Sequence, residues 1–311
     1  MNPVLTNLGL PIVAAPMFLV SGPELVIAAA RSGVVGAFPT PNCRTSAELD
    51  AWMTQIAAAC AGAPGLWAAN LVTHRSNARL ADDLALVAKH RPPLVITALG
   101  SPAPVIAAVH DYGGLVLADV IDPALGRKAA SAGADGLVAV AAGAGGHTGH
   151  LSPLAFIAAL RAFFGGLICV GGGIADGAGV AGAIAAGADL VYMGTRFLAA
   201  DESMASPAYK DMVIAAELED LVVSAAITGT AASWLKPSLH LAGYDPDDLG
   251  AAAKRDYGGD PARWRDLWAA GQGIHAVSIR EPVSAIVDTL KREFRAAFAR
   301  LATYGEPHDR S

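Results

Sequence analysis

The chain has 311 residues, of which 53% are hydrophobic and 16% are charged. This balance supports a large buried core and excludes a globally disordered chain. The net charge is −6 at neutral pH and no block of basic residues is present, which argues against a nucleic-acid partner. No apolar run reaches the roughly 20 residues that span a bilayer, and no signal peptide is evident, so we expect no membrane partner.

The three cysteines lie far apart and form no CxxC pair. Such spacing is typical of free thiols in a reducing compartment and not of a disulfide framework or a zinc site. We therefore expect a cytoplasmic protein.

Short apolar runs recur through the first 200 residues. They begin at Ile12, Val34, Leu66, Leu94, Leu115, Gly136, Leu167 and Leu190. Because the runs are apolar throughout, they are typical of strands buried on both faces. Ala-rich segments with helical periodicity separate them, and several of these end in Gly, as helices often do.

Eight strand-and-helix units predict an α/β fold of the TIM type, a (β/α)8 barrel, over residues 1–200. The alternative is a doubly wound open sheet, but no GxGxxG motif opens the first helix. Residues 201–311 exceed the eight units. We expect them to form a mostly helical extension that packs over the barrel mouth and closes the barrel.

The ends of the last two predicted strands indicate a phosphate site. The seventh strand ends in Gly171-Gly172-Gly173 and the eighth in Met193-Gly194-Thr195. Glycines at these ends let backbone N–H groups approach a phosphate, and Thr195 adds a hydroxyl donor. The alternative is that these glycines only form tight turns. Barrel phosphate sites hold either a sugar phosphate or flavin mononucleotide (FMN).

The sixth predicted strand leads into AGAGGHTGH, residues 142–150. The scarcity of side chains before His147 indicates that a flat or bulky group lies against the backbone. An imidazole with a pKa near 6.5 can then accept a proton. His150 follows one turn later, but the sequence offers no third ligand for a metal, so we expect none.

One further strand end and one later segment are candidates for the site. Asp119 ends the fifth strand, where it either contacts a cofactor ring or caps the next helix. Trp268 precedes a segment containing Gly271, Gln272 and Gly273 that could close over a site.

Several ordered motifs resemble one family. They are AAPM after the first strand, Asn70 after the third, AGAGGHTG after the sixth, GGGIADG after the seventh and YMGTRF after the eighth. Together they resemble the nitronate monooxygenases, formerly 2-nitropropane dioxygenases, over residues 3–290. The resemblance implies an FMN-containing TIM barrel that oxidises alkyl nitronates or nitroalkanes with O2 to a carbonyl compound and nitrite.

The resemblance implies that His147 is catalytic, taking the α-proton of a neutral nitroalkane and orienting the substrate. It also implies that the glycines before His147 make room for the flavin. With the strand ends, the expected FMN-binding residues are Ala15, Pro16, Met17, Asn70, Asp119, Val140, Gly145, Gly146, Gly172, Gly173, Met193, Gly194, Thr195, Gln272 and Gly273.

The sequence departs from the family at two positions. Many members carry Gln where Val140 lies and Glu where Gly143 lies, so polar contacts to flavin or substrate are lost. One alternative is therefore an NAD(P)H-dependent FMN reductase of quinones or enoyl thioesters. Another is a non-catalytic flavin- or phosphate-binding barrel, and the fold does not choose among them. A homodimer is an expected assembly, although no segment identifies an interface.

Overall fold

The computed structural model describes residues 5–253 and 265–305. Eight parallel strands close into a barrel, in which the first strand pairs with the last. These strands are β1 (Ile12–Ala14), β2 (Val35–Pro39), β3 (Leu66–Val72), β4 (Leu94–Ala98), β5 (Leu115–Val120), β6 (Gly136–Val140), β8 (Leu167–Gly171) and β9 (Leu190–Met193). The predicted barrel is confirmed, and the predicted strand starts agree with the observed ones to within one residue.

Helices alternate with the strands and surround them. They are α1 (Pro23–Arg31), α2 (Ser46–Cys60), α3 (Leu80–His90), α4 (Ala103–His110), α5 (Pro123–Ser131), α6 (Pro153–Arg161), α7 (Gly177–Ala185) and the short α8 (Thr195–Leu198). Side-chain caps fix several starts. Asp122 caps α5 by accepting from Leu125 N, and Asp176 caps α7 by accepting from Gly179 N.

The barrel strands are apolar on both faces because each face meets a different core. Leu117, Val138 and Cys169 pack inside the barrel. Their neighbours in sequence, such as Ala118 and Val170, pack outside against the helices. Side chains alternate across a strand, so a strand buried on both faces reads as a continuous apolar run.

The rest of the chain contains strands as well as helices. After α8 come α9 (Pro207–Ala215), β10 (Leu221–Ser224), β11 (Ala232–Leu235), α10 (Lys236–Leu241) and a 3-10 turn (Gln272–Ala276), followed by α11 (Val283–Gly305). Parts of the predicted extension, residues 254–264 and 306–311, lie outside the described residues.

The last helix belongs to the ring of helices around the barrel. Val283, Ile286 and Leu290 of α11 are buried in the same core as the barrel-facing residues of α6 and α7. α11 thus takes the place of an eighth barrel helix, while α8 is only one turn long. Within the described part of the chain, no helix is long and apolar enough to cross a membrane.

Candidate functional site

His147 lies on a small sheet at the barrel mouth. Its strand, β7 (Gly146–His147), is antiparallel to β11, which also pairs with β10. His147 is opposite Ala232, and Thr148 N donates to Ala231 O across 3.0 Å. A segment of the extension therefore fixes the loop that carries the imidazole.

The chain around His147 is held from both sides. Gly146 has a φ of +62°, a left-handed conformation that favours glycine. Thr148 donates its hydroxyl to Ala141 O at 3.2 Å, which returns the loop to the end of β6. His147 is partly buried, and this burial lowers the pKa of its imidazole below 6.5. The imidazole is thus neutral at pH 7 and able to accept a proton.

Residues 268–273, which we call the mouth strap, extend along the same edge of β11. Leu235 N donates to Trp268 O at 2.9 Å, and Ala269 forms an antiparallel bridge to Trp234. The Tyr209 ring stacks on Trp268 with centroids 5.1 Å apart, and its hydroxyl bonds to Ala269 O. The mouth strap and β7 therefore occupy successive positions along one edge of β11.

The mouth strap joins the predicted phosphate loops to the His147 loop. Gly271 N donates to Thr195 Oγ1 at 2.9 Å. The carbonyl of Gly143 accepts both Gln272 N, at 2.9 Å, and Gly173 N, at 3.1 Å. The structure thus brings Thr195, Gly173 and Gln272 together through the mouth strap and the Gly143 carbonyl.

Gly145 has a structural reason to be glycine besides the expected flavin contact. A Cβ at this position would lie 2.6 Å from Gly271 N and 2.8 Å from the carbonyl carbon of Ala270. A Cβ on Gly271 would in turn lie 2.5 Å from Gly143 O and from Gly145 N. The two backbones touch, so the mouth strap already fills the space that Gly145 leaves.

The loop after β1 carries Ala15, Pro16 and Met17, and Ser21 holds it. Met17 N donates to Ser21 Oγ at 2.9 Å, and that hydroxyl donates to Ala15 O at 3.1 Å. Gly194 is adjacent, because a Cβ on it would lie 3.6 Å from Met17 Sδ. The ends of β1 and β9 therefore form one wall of the mouth.

Asn42, which follows β2, is a second clamp on this loop, and the sequence analysis did not identify it. Its Oδ1 accepts Leu19 N at 2.8 Å, while its Nδ2 donates to Met17 O and to Ser21 O at 3.2 and 2.8 Å. Leu19 has a φ of +59°, which is strained for a side chain of this type. Only the position of Asn42 just after a strand could have indicated a role.

Asn70 and Asp119 lie near the carboxyl ends of β3 and β5, which continue to Val72 and Val120. Asn70 is buried and donates from Nδ2 to Ile96 O at 3.3 Å. Asp119 does not cap α5, because Asp122 does so. Its buried Oδ1 has no hydrogen-bond partner among the described residues, and burial raises the pKa of the carboxyl to about 7.

The other predicted residues differ in how they reach the mouth. Val140 packs at the edge of the barrel interior, whereas the Met193 side chain is buried in the outer core and offers only its backbone to a ligand. A Cβ on Gly172 would lie 2.5 Å from Ala142 O, and one on Gly273 would lie 2.8 Å from Ala175 Cβ. Both glycines therefore permit close packing of loops.

The start of α7 is already satisfied by carboxylates. Gly177 N donates to Glu293 Oε2 at 2.8 Å, and Gly179 N donates to Asp176 Oδ1 at 2.6 Å. These two backbone N–H groups are therefore already occupied by side chains of the protein. Thr195 Oγ1 acts as acceptor toward Gly271, so its own hydrogen can be donated to an anion.

A cavity of about 430 Å³ lies beside these loops. Arg196, His275 and Glu281 are among its lining residues, whereas neither His147 nor Asp119 lines it. In the wall of this cavity, the Arg196 guanidinium is paired with Glu281 at 2.9 Å. Among the described residues, no group of three potential ligands could hold a metal ion.

Comparisons with known proteins identify relatives of this chain. The family model of the nitronate monooxygenases matches residues 52–240, more than half of the chain. A nitronate monooxygenase from Paraburkholderia phytofirmans is 30% identical over 71% of this chain and 66% of its own length. A Rhodococcus jostii dehydrogenase, named for a hydroxy-methyl-oxo-octahydroindene-carboxyl-CoA substrate, is 30% identical over 70% of this chain and 60% of its own.

Solved structures share the whole fold. A point mutant of FabK from Thermotoga maritima has a TM-score of 0.78 at 25% identity, covering 96% of this chain and 97% of that one. A nitroalkane oxidase from Streptomyces ansochromogenes has a TM-score of 0.80 at 24% identity, covering 96% and 99%. The sequence alignments span one half to two thirds of the curated relatives' lengths. By the family model and these relatives, the chain belongs to the nitronate monooxygenase family.

Proposed function

We propose that the protein is an FMN-dependent oxidoreductase that oxidises alkyl nitronates with O2. In the overall balance, two nitronate anions and one O2 give two carbonyl compounds and two nitrite ions. The observation that carries the proposal is the position of His147, partly buried on β7 at the barrel mouth. Membership of a flavin-dependent family supports the cofactor.

The donor set in the mouth fits FMN. Gly194 and the Thr195 hydroxyl would hold the phosphate, with the mouth strap beside them. The loop carrying Met17 and the end of β3 at Asn70 would line the isoalloxazine ring. Oδ1 of Asp119 is buried without a hydrogen-bond partner among the described residues, so it fits a ligand that carries hydrogen-bonding atoms. An aromatic hydrocarbon would offer it no such atom. When bound, the flavin supplies the electron acceptor that no side chain provides.

His147 has two tasks in this proposal. Its neutral imidazole takes the α-proton of a nitroalkane, which produces the nitronate, and it then orients that anion by a hydrogen bond. Burial favours the first task because it keeps the imidazole unprotonated at pH 7. Ala232 lies opposite His147 on the sheet, so the side chain across from the imidazole is only a methyl group.

A second candidate is an NAD(P)H-dependent FMN reductase of enoyl thioesters or quinones. The Rhodococcus jostii relative favours it, because its name as a carboxyl-CoA dehydrogenase gives it a CoA thioester substrate. Val140 and Gly143 favour it as well, since both lack the polar groups that many nitronate monooxygenases carry there.

The two candidates are separated by product analysis on the purified protein. We expect nitrite release that requires both ethylnitronate and O2, and we expect His147→Ala to retain FMN while nitrite release falls at least about 100-fold. His150→Ala is the matched control, because His150 is exposed and three residues away. NADH oxidation driven by an enoyl thioester, without nitrite release from nitronate, would favour the reductase. A cytoplasmic location and a homodimer stay predictions.

A further inference from the structure

Asp119 points into the barrel at its mouth. Leu117, two residues earlier on β5, packs in the barrel interior, whereas Ala118 and Val120 pack outside against the helices. Because side chains alternate along a strand, Asp119 shares the inward face with Leu117. Asp119 is the last inward position of β5, so its carboxyl lies at the level where the strand ends line the candidate site.

One oxygen of this carboxyl has no structural role among the residues that the structure describes. Oδ1 is buried without a hydrogen-bond partner among the described residues. Asp119 does not cap the nearby helix α5, because Asp122 does so by accepting a hydrogen bond from Leu125 N at 2.8 Å. A buried polar atom without a partner is costly, so its presence in a mouth points to a ligand that completes it.

The neighbours of Asp119 do not change charge near neutral pH. The titratable groups facing it are Cys169 on β8 and Tyr192 on β9, and burial raises the pKa of both well above their usual values. Val138, which pairs with it on β6, is apolar. No charged group shifts the Asp119 pKa, which burial alone raises to about 7. Asp119 is therefore the member of this cluster that titrates in the physiological range.

We propose that Asp119 is a proton-holding residue of the flavin pocket, whose acid form donates a hydrogen bond to bound flavin and whose ionised form opposes flavin reduction. The inference rests on the proposed FMN site. Reduction adds negative charge in a mouth of low dielectric, where an ionised carboxylate nearby is repulsive. Above pH 7 the oxidised protein therefore carries a carboxylate, and on reduction this carboxylate takes up one proton from solvent.

The test is the reduction potential of the FMN-loaded protein between pH 5 and pH 9. Below pH 6 the potentials of wild type and Asp119→Asn should change in parallel. Above pH 7 the extra proton changes the wild-type reduction equilibrium by an additional factor of ten per pH unit, which is about 30 mV per pH unit for a two-electron couple. The reduction potential of Asp119→Asn should lack this steeper dependence on pH. Asp122→Asn removes the same charge outside the barrel and should keep it.

If Asp119→Asn does not bind FMN, infrared difference spectra of the wild type test the same inference. With isotope-labelled aspartate, flavin reduction at pH 8 should produce the C=O band of a protonated carboxylic acid. Parallel potentials for wild type and Asp119→Asn at every pH, or absence of this band, would overturn the inference and leave the FMN site intact. A wild type that binds no FMN would overturn both.

Discussion

The backbone N–H of Gly271 donates a hydrogen bond to the hydroxyl of Thr195, 2.9 Å away and 76 residues earlier in the chain. Both residues are buried. This bond joins the mouth strap to the loop after β9, so the extension and the barrel share one site. It also orients the hydroxyl that we propose to bind the FMN phosphate.

Thr195→Val keeps the side-chain shape and removes this acceptor. The buried Gly271 N–H loses its partner, and we expect the free energy of unfolding to fall by about 1–3 kcal/mol. FMN should also bind more weakly, since the phosphate loses a donor. Urea unfolding and fluorescence titration with FMN measure the two effects. Thr195→Ser retains the hydroxyl and should resemble the wild type; equal behaviour of the Val and Ser variants would contradict the assigned role.

Gly145→Ala tests the contact between the mouth strap and the His147 loop. The new Cβ would lie 2.6 Å from Gly271 N, so one backbone must move, at a cost of about 1–3 kcal/mol. Gly165→Ala is the matched control, because a Cβ there would meet nothing within 4 Å. Thermal unfolding of both variants should show a lower midpoint for Gly145→Ala alone. An unchanged midpoint in both would mean that the two segments are not in contact.

Asn42→Ala should release the loop after β1. Three hydrogen bonds to Leu19, Met17 and Ser21 disappear, and the partly or fully buried partners left behind cost about 1–3 kcal/mol. Because Met17 is proposed to line the flavin, FMN affinity should fall and the visible flavin spectrum should shift. Asn77→Ala, which frees the loop after β3 by removing a bond to Val72 O, should leave that spectrum unchanged. A spectrum unaltered by Asn42→Ala would show that the clamp does not position the flavin site.

The pH dependence of turnover should depend on the substrate. Burial lowers the His147 pKa, so the imidazole stays neutral down to a pH below 6.5 and becomes protonated only in more acidic solution. With nitroethane, kcat/KM should fall as pH decreases through that range, because a protonated imidazole accepts no proton. With ethylnitronate, already deprotonated, this acidic decline should be much weaker. Identical acidic limbs for the two substrates would contradict a role for His147 as the base.

The same shift has a consequence for stability. The unfolded chain binds a proton at His147 at a higher pH than the folded chain does. Between the two pKa values the unfolded state holds more protons, so the free energy of unfolding falls as pH is lowered through this window. His147→Gln should flatten that part of the stability curve, and chemical unfolding at a series of pH values measures it.

The barrel was predictable from the sequence because its signal is local. Each strand is a short apolar run, and each run is buried on both faces, as for Leu117 and Ala118 in β5. Turns and caps such as Asp122 then separate the units. The order of strands in a (β/α)8 barrel follows the order of the chain, so no long-range pairing had to be guessed.

The sheet at the mouth was not predictable in this way. β7 has two residues, one of them glycine, so it shows no alternation. Its partner Ala232 is far along the chain, and their pairing depends on the folded barrel. For the same reason, sequence reasoning assigned Gly145 to the flavin, while the structure adds contact with Gly271. Asn42 was missed because its three hydrogen bonds to backbone leave no sequence signal beyond its position just after β2.

The most direct test of the account is anaerobic reduction of the protein-bound flavin. The FMN-loaded protein is mixed in separate cuvettes with ethylnitronate, NADH and NADPH, and the flavin absorbance is followed. We predict rapid bleaching by ethylnitronate and none by either nicotinamide. Bleaching by a nicotinamide but not by ethylnitronate would contradict nitronate oxidation and support the reductase. A protein without a flavin spectrum, even after incubation with FMN, would contradict the site assigned to Gly194 and Thr195.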